Sequence, residues 1–293
     1  MNKIMKKLAI IGANESLECF YKQAKKLGYY LIGIAYEKGA VCKKYCDKFY
    51  PISFADKDSV LEVCKTENID GITSFSLESA LPTVIYVAQN MGLVSNSFEC
   101  AKKLENKFTM RKCFTAAGIP NPLYKLVKTT MDLDEIDMLF PCIVKPVDSG
   151  GSQGVTKVND RKELHNAFQR AIKYSKNGGV IIEQFVDGRE FSVEYISHNG
   201  NHYHLQITDK VTSGEPYFVE LAHHQPAQIS VELMSRMKNM VEKAVTVLDI
   251  ENSASHTEIK LDSKGDLYII EVGARMGGDY ITSDLVRLST GYD

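Results

Sequence analysis

Between Lys7 and Val94 apolar runs alternate with helical spacings, and that order is accommodated by a parallel sheet with helices on its faces. Lys7–Gly12 reads as a continuous apolar strand, Glu15–Leu27 as a helix ended by Gly28, and Tyr29–Ala35 as a second strand. Lys57–Lys65 has helical spacing, Ile69–Phe75 is a third strand, and Glu78–Asn90 is a third helix. Gly12-Ala-Asn14 invites a dinucleotide-binding reading, but that fingerprint needs three glycines at set offsets and only Gly12 is present. A dehydrogenase is therefore disfavoured. The same turn can still host part of a small substrate, because ligands favour the carboxyl ends of parallel strands.

Beyond this segment the pattern changes. Ser97–Ala117 is polar and helical, carries Asn106 and Lys107, and is capped by Gly118. Pro120 and Pro122 then punctuate the chain, so a boundary between units lies in or beside this helix. With 293 residues there is material for a large core and two or three units. Hydrophobic residues at 44% and charged residues at 25% fit an ordinary globular protein. A net charge of −2, with Lys and Arg spread along the chain, favours neither nucleic acid nor an anionic membrane as partner. No apolar run reaches bilayer length, and Leu8–Ile11 ends at Gly12 as a strand does, unlike a signal peptide. The seven cysteines are odd in number, and the one close pair, Cys42 and Cys46, lacks a second pair or a nearby His. They read as reduced packing thiols of a cytoplasmic protein.

Phe140–Pro146 is a short apolar strand with Lys145 among its buried neighbours. An ammonium there must find an anion or a carbonyl. Directly after it comes Asp148-Ser-Gly-Gly-Ser-Gln-Gly154, and then a second strand at Val155–Val158. Glycine-rich loops hold phosphates because bare backbone N–H groups converge on the oxygens unobstructed. The Gly-Lys-Ser/Thr of a Walker loop is missing, so strand, glycine loop, strand describes a flap folding over a triphosphate. An ordinary flexible hairpin tip has the same composition. Residues 160–174 form an amphipathic helix, and Val180–Val186 is a buried strand with one charge inside it, Glu183. Glu183 with the backbone of Gln184-Phe-Val186 can meet the needs of an adenine: an acceptor for its amino group and an apolar, hydrogen-bonding edge. A satisfied structural carboxylate is the alternative. His202 and His204 share a strand face, as zinc ligands would, although paired surface histidines are commoner.

Ser230–Leu248 is a long amphipathic helix, and the stretch after it carries the sharpest chemistry. Residues 255–278 read as two strands around an Asp262-Ser-Lys-Gly265 turn. With an even loop, Thr257 faces Ile270 and Glu258 faces Ile269, which makes Glu258 and Glu271 diagonal neighbours on one face. Two carboxylates that close repel unless a cation lies between them, and hard oxygen ligands suit Mg²⁺ with substrate phosphates. Arg275 and Gly277-Gly278 follow at once. Phosphoryl chemistry fits this combination; a solvated surface hairpin is the bland reading.

Taken together, Glu105-Asn-Lys107, Ile143-Val-Lys-Pro146 with its glycine loop, Ile182–Glu190, His256-Thr-Glu258 and Glu271–Gly278 resemble, in order, the motifs of ATP-grasp enzymes. The resemblance is to the carboxylate–amine ligase and carbamoyl-phosphate-synthase-like group and covers nearly the whole chain. It implies an α/β protein with an N-terminal Rossmann-like pre-ATP-grasp domain (1–98) followed by an ATP-grasp fold of two α+β subdomains (99–293, with 120–186 as the lid). It also implies an ADP-forming ligase that joins a carboxylate, an amino acid or small acid, to an amine through an acyl phosphate. ATP and Mg²⁺ would be the cofactors, two ions with Mn²⁺ as an alternative, and a homodimer is common among such enzymes. Lys107 and Lys145 would bind phosphates, with Lys145 also near the adenine, and Ser149, Gly150, Gly151, Ser152 and Gly154 would form the flap. Glu183 would take the adenine amino group, Phe185 and Val186 the ring edge, and Glu190 the ribose. Glu258 and Glu271 would hold the metal; Arg275 and Lys145 would be catalytic, Arg275 stabilising the phosphoryl group or anchoring a carboxylate. Two departures stand out. Gly273 occupies the place where the family often has Asn as a third metal ligand, and the chain ends at Asp293 where the family continues, as a shortened form would. The rival readings are an ATP-binding module without turnover and an enzyme using bicarbonate or a thiol acceptor.

Overall fold

In the computed structural model, residues 5–134, 136–214 and 220–292 are described. Strands β1 (Lys7–Ile11), β2 (Tyr30–Ile34), β3 (Lys48–Tyr50) and β4 (Gly71–Ser74) form an all-parallel sheet in the order β3-β2-β1-β4. Helices α1 (Glu18–Lys26), α2 (Lys57–Glu67) and α3 (Leu81–Asn90) connect and cover it. Ile10 and Leu31 pack against Tyr21 on one face, while Ile11, Ile32 and Ile34 meet Val60, Cys64 and Val87 on the other. Strands covered on both sides show no polar alternation, which is why β1 and β2 read as unbroken apolar runs. The edge strand β3 escapes that test because it begins with Lys48, whose ammonium reaches Glu67 at 2.7 Å.

The helical stretch after Ser97 is two helices where the sequence suggested one. Helix α4 (Phe98–Glu105) stops at Asn106, whose backbone is extended (φ −133°, ψ 112°) and whose side chain accepts from the Thr109 N–H to cap α5 (Lys107–Ala116). An Asn side chain competes with helix continuation and favours a fresh start, so Lys107 becomes the first residue of a new helix.

Strands β5 (Tyr124–Val127), β6 (Cys142–Pro146), β7 (Thr156–Val158) and β8 (Val180–Gln184) make an antiparallel sheet ordered β5-β8-β6-β7. Helix α6 (Leu164–Ile172) seals one face, with Leu164, Phe168 and Ala171 against Val144, Val158 and Ile182. The third sheet, ordered β11-β10-β9-β12-β13, contains β9 (Arg189–His198), β10 (Asn201–Thr212), β11 (Glu220–His224), β12 (Ser253–Leu261) and β13 (Leu267–Gly273). Phe191, Val193, Ile207, Ile259 and Ile269 bury one of its faces against Met237 and Val241 of α7 (Val231–Val247) and Met110 and Phe114 of α5. The chain crosses between the two sheets at Gly188, where φ is +148° and a Cβ would lie 2.0 Å from the Leu261 carbonyl oxygen. The short helix α8 (Val286–Thr290) follows β13. Among the described residues no helix is long and apolar enough to cross a membrane.

The hairpin of β12 and β13 corrects the expected register. Leu261 pairs with Leu267 and Ile259 with Ile269, but Glu258 then pairs directly with Glu271, leaving Ile270 as a one-residue bulge. Without the bulge Glu271 would share the core face of Leu267 and Ile269, since side chains alternate. With it, Val272 returns to the core and Glu271 turns to the opposite face, beside Glu258. Ile269 is therefore a core residue and no neighbour of Glu258.

Candidate active site

The polar face of the five-stranded sheet and the glycine loop between β6 and β7 enclose a cleft of about 530 Å³. Its far wall comes from Ser16, Ser76 and Glu78, in the loops that leave β1 and β4 at their carboxyl ends. Parallel sheets place ligands at that edge. Lys107, Lys145, Ser149, Gly150, Gly151, Ser152, Glu183, Phe185, Val186, Glu190, Glu258, Glu271 and Arg275 all line the cleft. Gly154 does not. It sits below the loop with φ +74°, where a Cβ would come within 2.9 Å of the Tyr174 ring.

The loop's conformation depends on small residues. Gly151 and Ser152 both have left-handed φ values, +63° and +55°. Its base is anchored to the turn after α6: Ser149 Oγ donates to the Tyr174 carbonyl, and Asp148 accepts from Ser175 Oγ and from the N–H groups of Lys176 and Asn177. The tip leans over the cleft, so a Cβ on Gly150 would contact Glu78 Oε2 at 3.6 Å.

Glu271, Glu258, Glu190 and Glu220 in the cleft each hold a cation. Lys107 Nζ lies 2.6 Å from Glu271 Oε1. Burial would raise the Glu271 pKa, but Lys107 and then Lys145 reverse this and keep it below the usual carboxylate range. Lys210 Nζ is caged by Glu190, Glu220 and Glu258 at 3.0, 2.7 and 2.9 Å. Burial opposes its charge; Glu258 and Glu190 outweigh it and hold the ammonium above the usual lysine range. Glu258 also faces His256 Nε2, and the other ring nitrogen of His256, Nδ1, donates to Glu194 Oε1 at 2.6 Å. Gly277 packs on that pair, since a Cβ there would be 2.9 Å from His256 Nδ1.

Glu183, Lys145 and Arg111 form a buried triad, with Lys145 Nζ 2.7 Å from one carboxylate oxygen and Arg111 Nε 2.8 Å from the other. Burial pushes Glu183 up, and the two cations overcome it to leave the carboxyl at about 2. Lys145 is itself pulled below the usual lysine range, chiefly by burial. Glu183, although almost fully buried, borders the cleft. Beside the triad, the Phe185 ring is flanked by Lys157 Nζ at 4.0 Å and Lys260 Nζ at 5.5 Å.

At the opposite end Glu78 has its pKa raised, first by burial and then by the charge on Glu271. Arg275 Nη2 approaches Glu78 Oε2 at 3.9 Å, and Nη1 donates to the Met276 carbonyl. Gly273 leaves room for this arginine: a Cβ there would meet Arg275 Cγ at 3.3 Å. The oxygen pair Glu258 and Glu271, directly opposed on adjacent strands, has the donor chemistry for a hard divalent cation, and Arg275 occupies the space that a third side-chain ligand at 273 would need.

Glu78, Arg111, Lys210 and Glu220 are cleft or supporting groups that motif reasoning passed over, and His256 stood in a motif without a role of its own. Lys210 had a usable signal. Like Lys145 it is an ammonium on the buried face of a strand, in step with the buried Thr208, but polar neighbours disguise that face. His202 and His204 do not form a metal pair. Both ring nitrogens of His202 are engaged, by Ser197 and Thr246, and His204 is packed edge-on to Tyr195.

Residues 138–284 match a family profile described as an ATP-grasp domain. The chain is 31% identical to the crystal structure of an L-amino acid ligase from Bacillus licheniformis, with a TM-score of 0.85 over 99% of this chain and 72% of that one. It is 27% identical to the alanine–anticapsin ligase of Bacillus subtilis (strain 168) over 247 residues, 75% of this chain and 51% of that protein. A D-alanine–D-alanine ligase of Thermoanaerobacter sp. (strain X514) is 31% identical over 245 residues, 78% of this chain and 64% of that protein. The chain spans about half the length of the first curated relatives it matches. The opposed glutamates, the glycine loop above them and these matches agree: the chain has a mixed α/β ATP-grasp fold and belongs to the ATP-grasp family.

Proposed function

We propose that this protein is an ADP-forming carbon–nitrogen ligase that joins an amino acid or small carboxylic acid to an amine. The observation that carries the reading is the direct pairing of Glu258 with Glu271 beneath the glycine loop, ringed by Lys107, Lys145, Lys210 and Arg275. In this reading residues 1–98 are a Rossmann-like domain and 99–293 the ATP-grasp unit, with 120–186 as its lid; the all-parallel first sheet and the separate β5-β8-β6-β7 sheet support that division.

The nucleotide would lie with its adenine between Glu183, Phe185 and Val186, its ribose at Glu190 and its phosphates under Ser149–Ser152. Glu258 and Glu271 would hold Mg²⁺, two ions in the arrangement the family suggests, with Mn²⁺ as a substitute. When bound, the metal neutralises the phosphate oxygens and orients the γ-phosphoryl group. A carboxylate oxygen of the substrate attacks that phosphorus and ADP leaves, giving an acyl phosphate. The amine nitrogen then attacks the acyl carbon, the amine loses a proton, and inorganic phosphate departs. Most of the rate comes from positioning and charge neutralisation, which Lys107, Lys145 and Arg275 supply. Closure of the glycine loop excludes water from the acyl phosphate. Arg275 and Glu78, 3.9 Å apart, offer a guanidinium and a carboxylate to the two ends of an amino-acid zwitterion.

A coupled ADP-release assay over amino acids and small acids, singly and in pairs, tests this. Activity that appears with amino-acid pairs and disappears in Glu271→Ala supports it. A second reading, nucleotide binding without turnover, is favoured by Gly273. It predicts Mg²⁺-dependent ADP binding and no ADP release with any acid or amine. Release that requires bicarbonate or a thiol would instead mark a different acceptor.

A further inference from the structure

Arg111 belongs to none of the family motifs recognised in the sequence, yet it is among the most deeply buried large side chains, 1% exposed. Its Nε donates to Glu183 Oε1 at 2.8 Å and its Nη2 to the Ile270 carbonyl at 2.6 Å. Ile270 is the bulged residue of β13, and because it is left out of the ladder Glu271 faces the cleft and not the core. A bulged residue has no place in the strand ladder, so its carbonyl needs another donor. One turn earlier on the same helix, Lys107 binds Glu271 itself. Helix α5 thus holds adjacent residues of the bulge with two side chains spaced i and i+4.

We propose that Arg111 is a positioning residue that couples the two ends of the nucleotide site: it fixes the nucleobase carboxylate Glu183 and, through the Ile270 carbonyl, the orientation of the metal carboxylate Glu271. This rests on the nucleotide placement proposed above. Arg111 touches neither nucleotide nor metal. It bridges the four-stranded lid sheet, through β8, to the five-stranded sheet, through β13.

The probes are ADP, GDP, adenosine and Mg²⁺, titrated calorimetrically into the full chain. Arg111→Met leaves Glu183 in a one-to-one pair with Lys145, so no buried carboxylate is stranded without a cation; Arg111→Lys keeps the charge but cannot fork to both acceptors. In either variant the Mg²⁺ concentration for half-maximal ADP binding should rise about tenfold, in the range seen when a ligand's supporting partner is removed. The preference for ADP over GDP should fall by a similar factor. Glu183→Gln should change the base preference alone, and Glu271→Gln the Mg²⁺ requirement alone. An Arg111 variant in which only one quantity moves, or in which melting temperature falls while both stay at wild-type values, overturns the proposal. One measurement needs no variant: adenosine alone should slow hydrogen exchange at the amides of residues 270–272, and no slowing there overturns the coupling. Absence of Mg²⁺-dependent ADP binding in the wild-type chain would instead refute the nucleotide site itself, and is seen before any variant is made.

Discussion

Replacing Lys107 by Met should have opposite effects on two ligands of the same cleft. Its ammonium lies 2.6 Å from Glu271 Oε1, with side chains 12% and 24% exposed, so the pair is largely desolvated. Without nucleotide, a metal ion must take Glu271 from Lys107. A pair this buried is worth more than a surface bridge, and on the order of 1–2 kcal/mol of competition is removed with the lysine. Since 1.4 kcal/mol is tenfold, Lys107→Met should bind Mn²⁺ alone about tenfold more tightly. With nucleotide bound, the same lysine would be a charged donor to the phosphates, and losing such a donor costs about 10²–10³ in turnover. Paramagnetic titration of nucleotide-free protein with Mn²⁺ reads the first effect and coupled ADP release reads the second. Mn²⁺ affinity that falls or stays unchanged in Lys107→Met would refute the idea that lysine and metal compete for one carboxylate.

The buried triad gives a pH prediction. The Glu183 pKa is lowered in the folded protein to about 2, so its contribution to stability is complete above its unfolded pKa and is lost as pH falls toward 2. The shift corresponds to something on the order of 3 kcal/mol, and the urea midpoint of the wild type should drop more steeply between pH 5 and pH 3 than that of Glu183→Gln; parallel curves would contradict the pairing. Gly188→Ala should destabilise by at least ~3 kcal/mol in urea unfolding, because its Cβ would overlap the Leu261 carbonyl oxygen and neither backbone can yield. Gly273→Asn should lower kcat/KM for ADP release about tenfold by displacing Arg275, despite adding an oxygen ligand; an Asn variant as active as the parent would show that Arg275 does not need the space.

How far the sequence could be read depended on whether each residue's role was local. Alternating apolar runs identified the first sheet, since burial on both faces leaves a direct mark on composition. Lys145 and Glu183 could be singled out because each is a lone charge inside an apolar strand. The Glu258–Glu271 pair was legible as a shared face, but not in its true register, because a bulge is set by packing of Ile259, Ile269 and Val272 rather than by the turn. Arg111 and Glu78 could not be found this way. Arg111 lies 72 residues from Glu183 and 159 from Ile270, so its role exists only once helix α5 is docked between two sheets. Asn106 was the readable signal that was missed: an N-cap residue in mid-helix marks a break.

The extra residue at Ile270 also divides the hairpin into stretches of unequal tolerance to length change. Beyond the last ladder pair, Leu261 with Leu267, the connection around Ser263 and Lys264 is exposed, and added residues there would simply enlarge a solvent loop. Removing Ile270 would restore a regular ladder with Glu271 still opposite Glu258 on the cleft face, and what would be lost is the out-of-ladder carbonyl that accepts from Arg111. Homologous chains should therefore vary in length at the tip, and one that lacks the bulged residue should have no arginine at the position of Arg111.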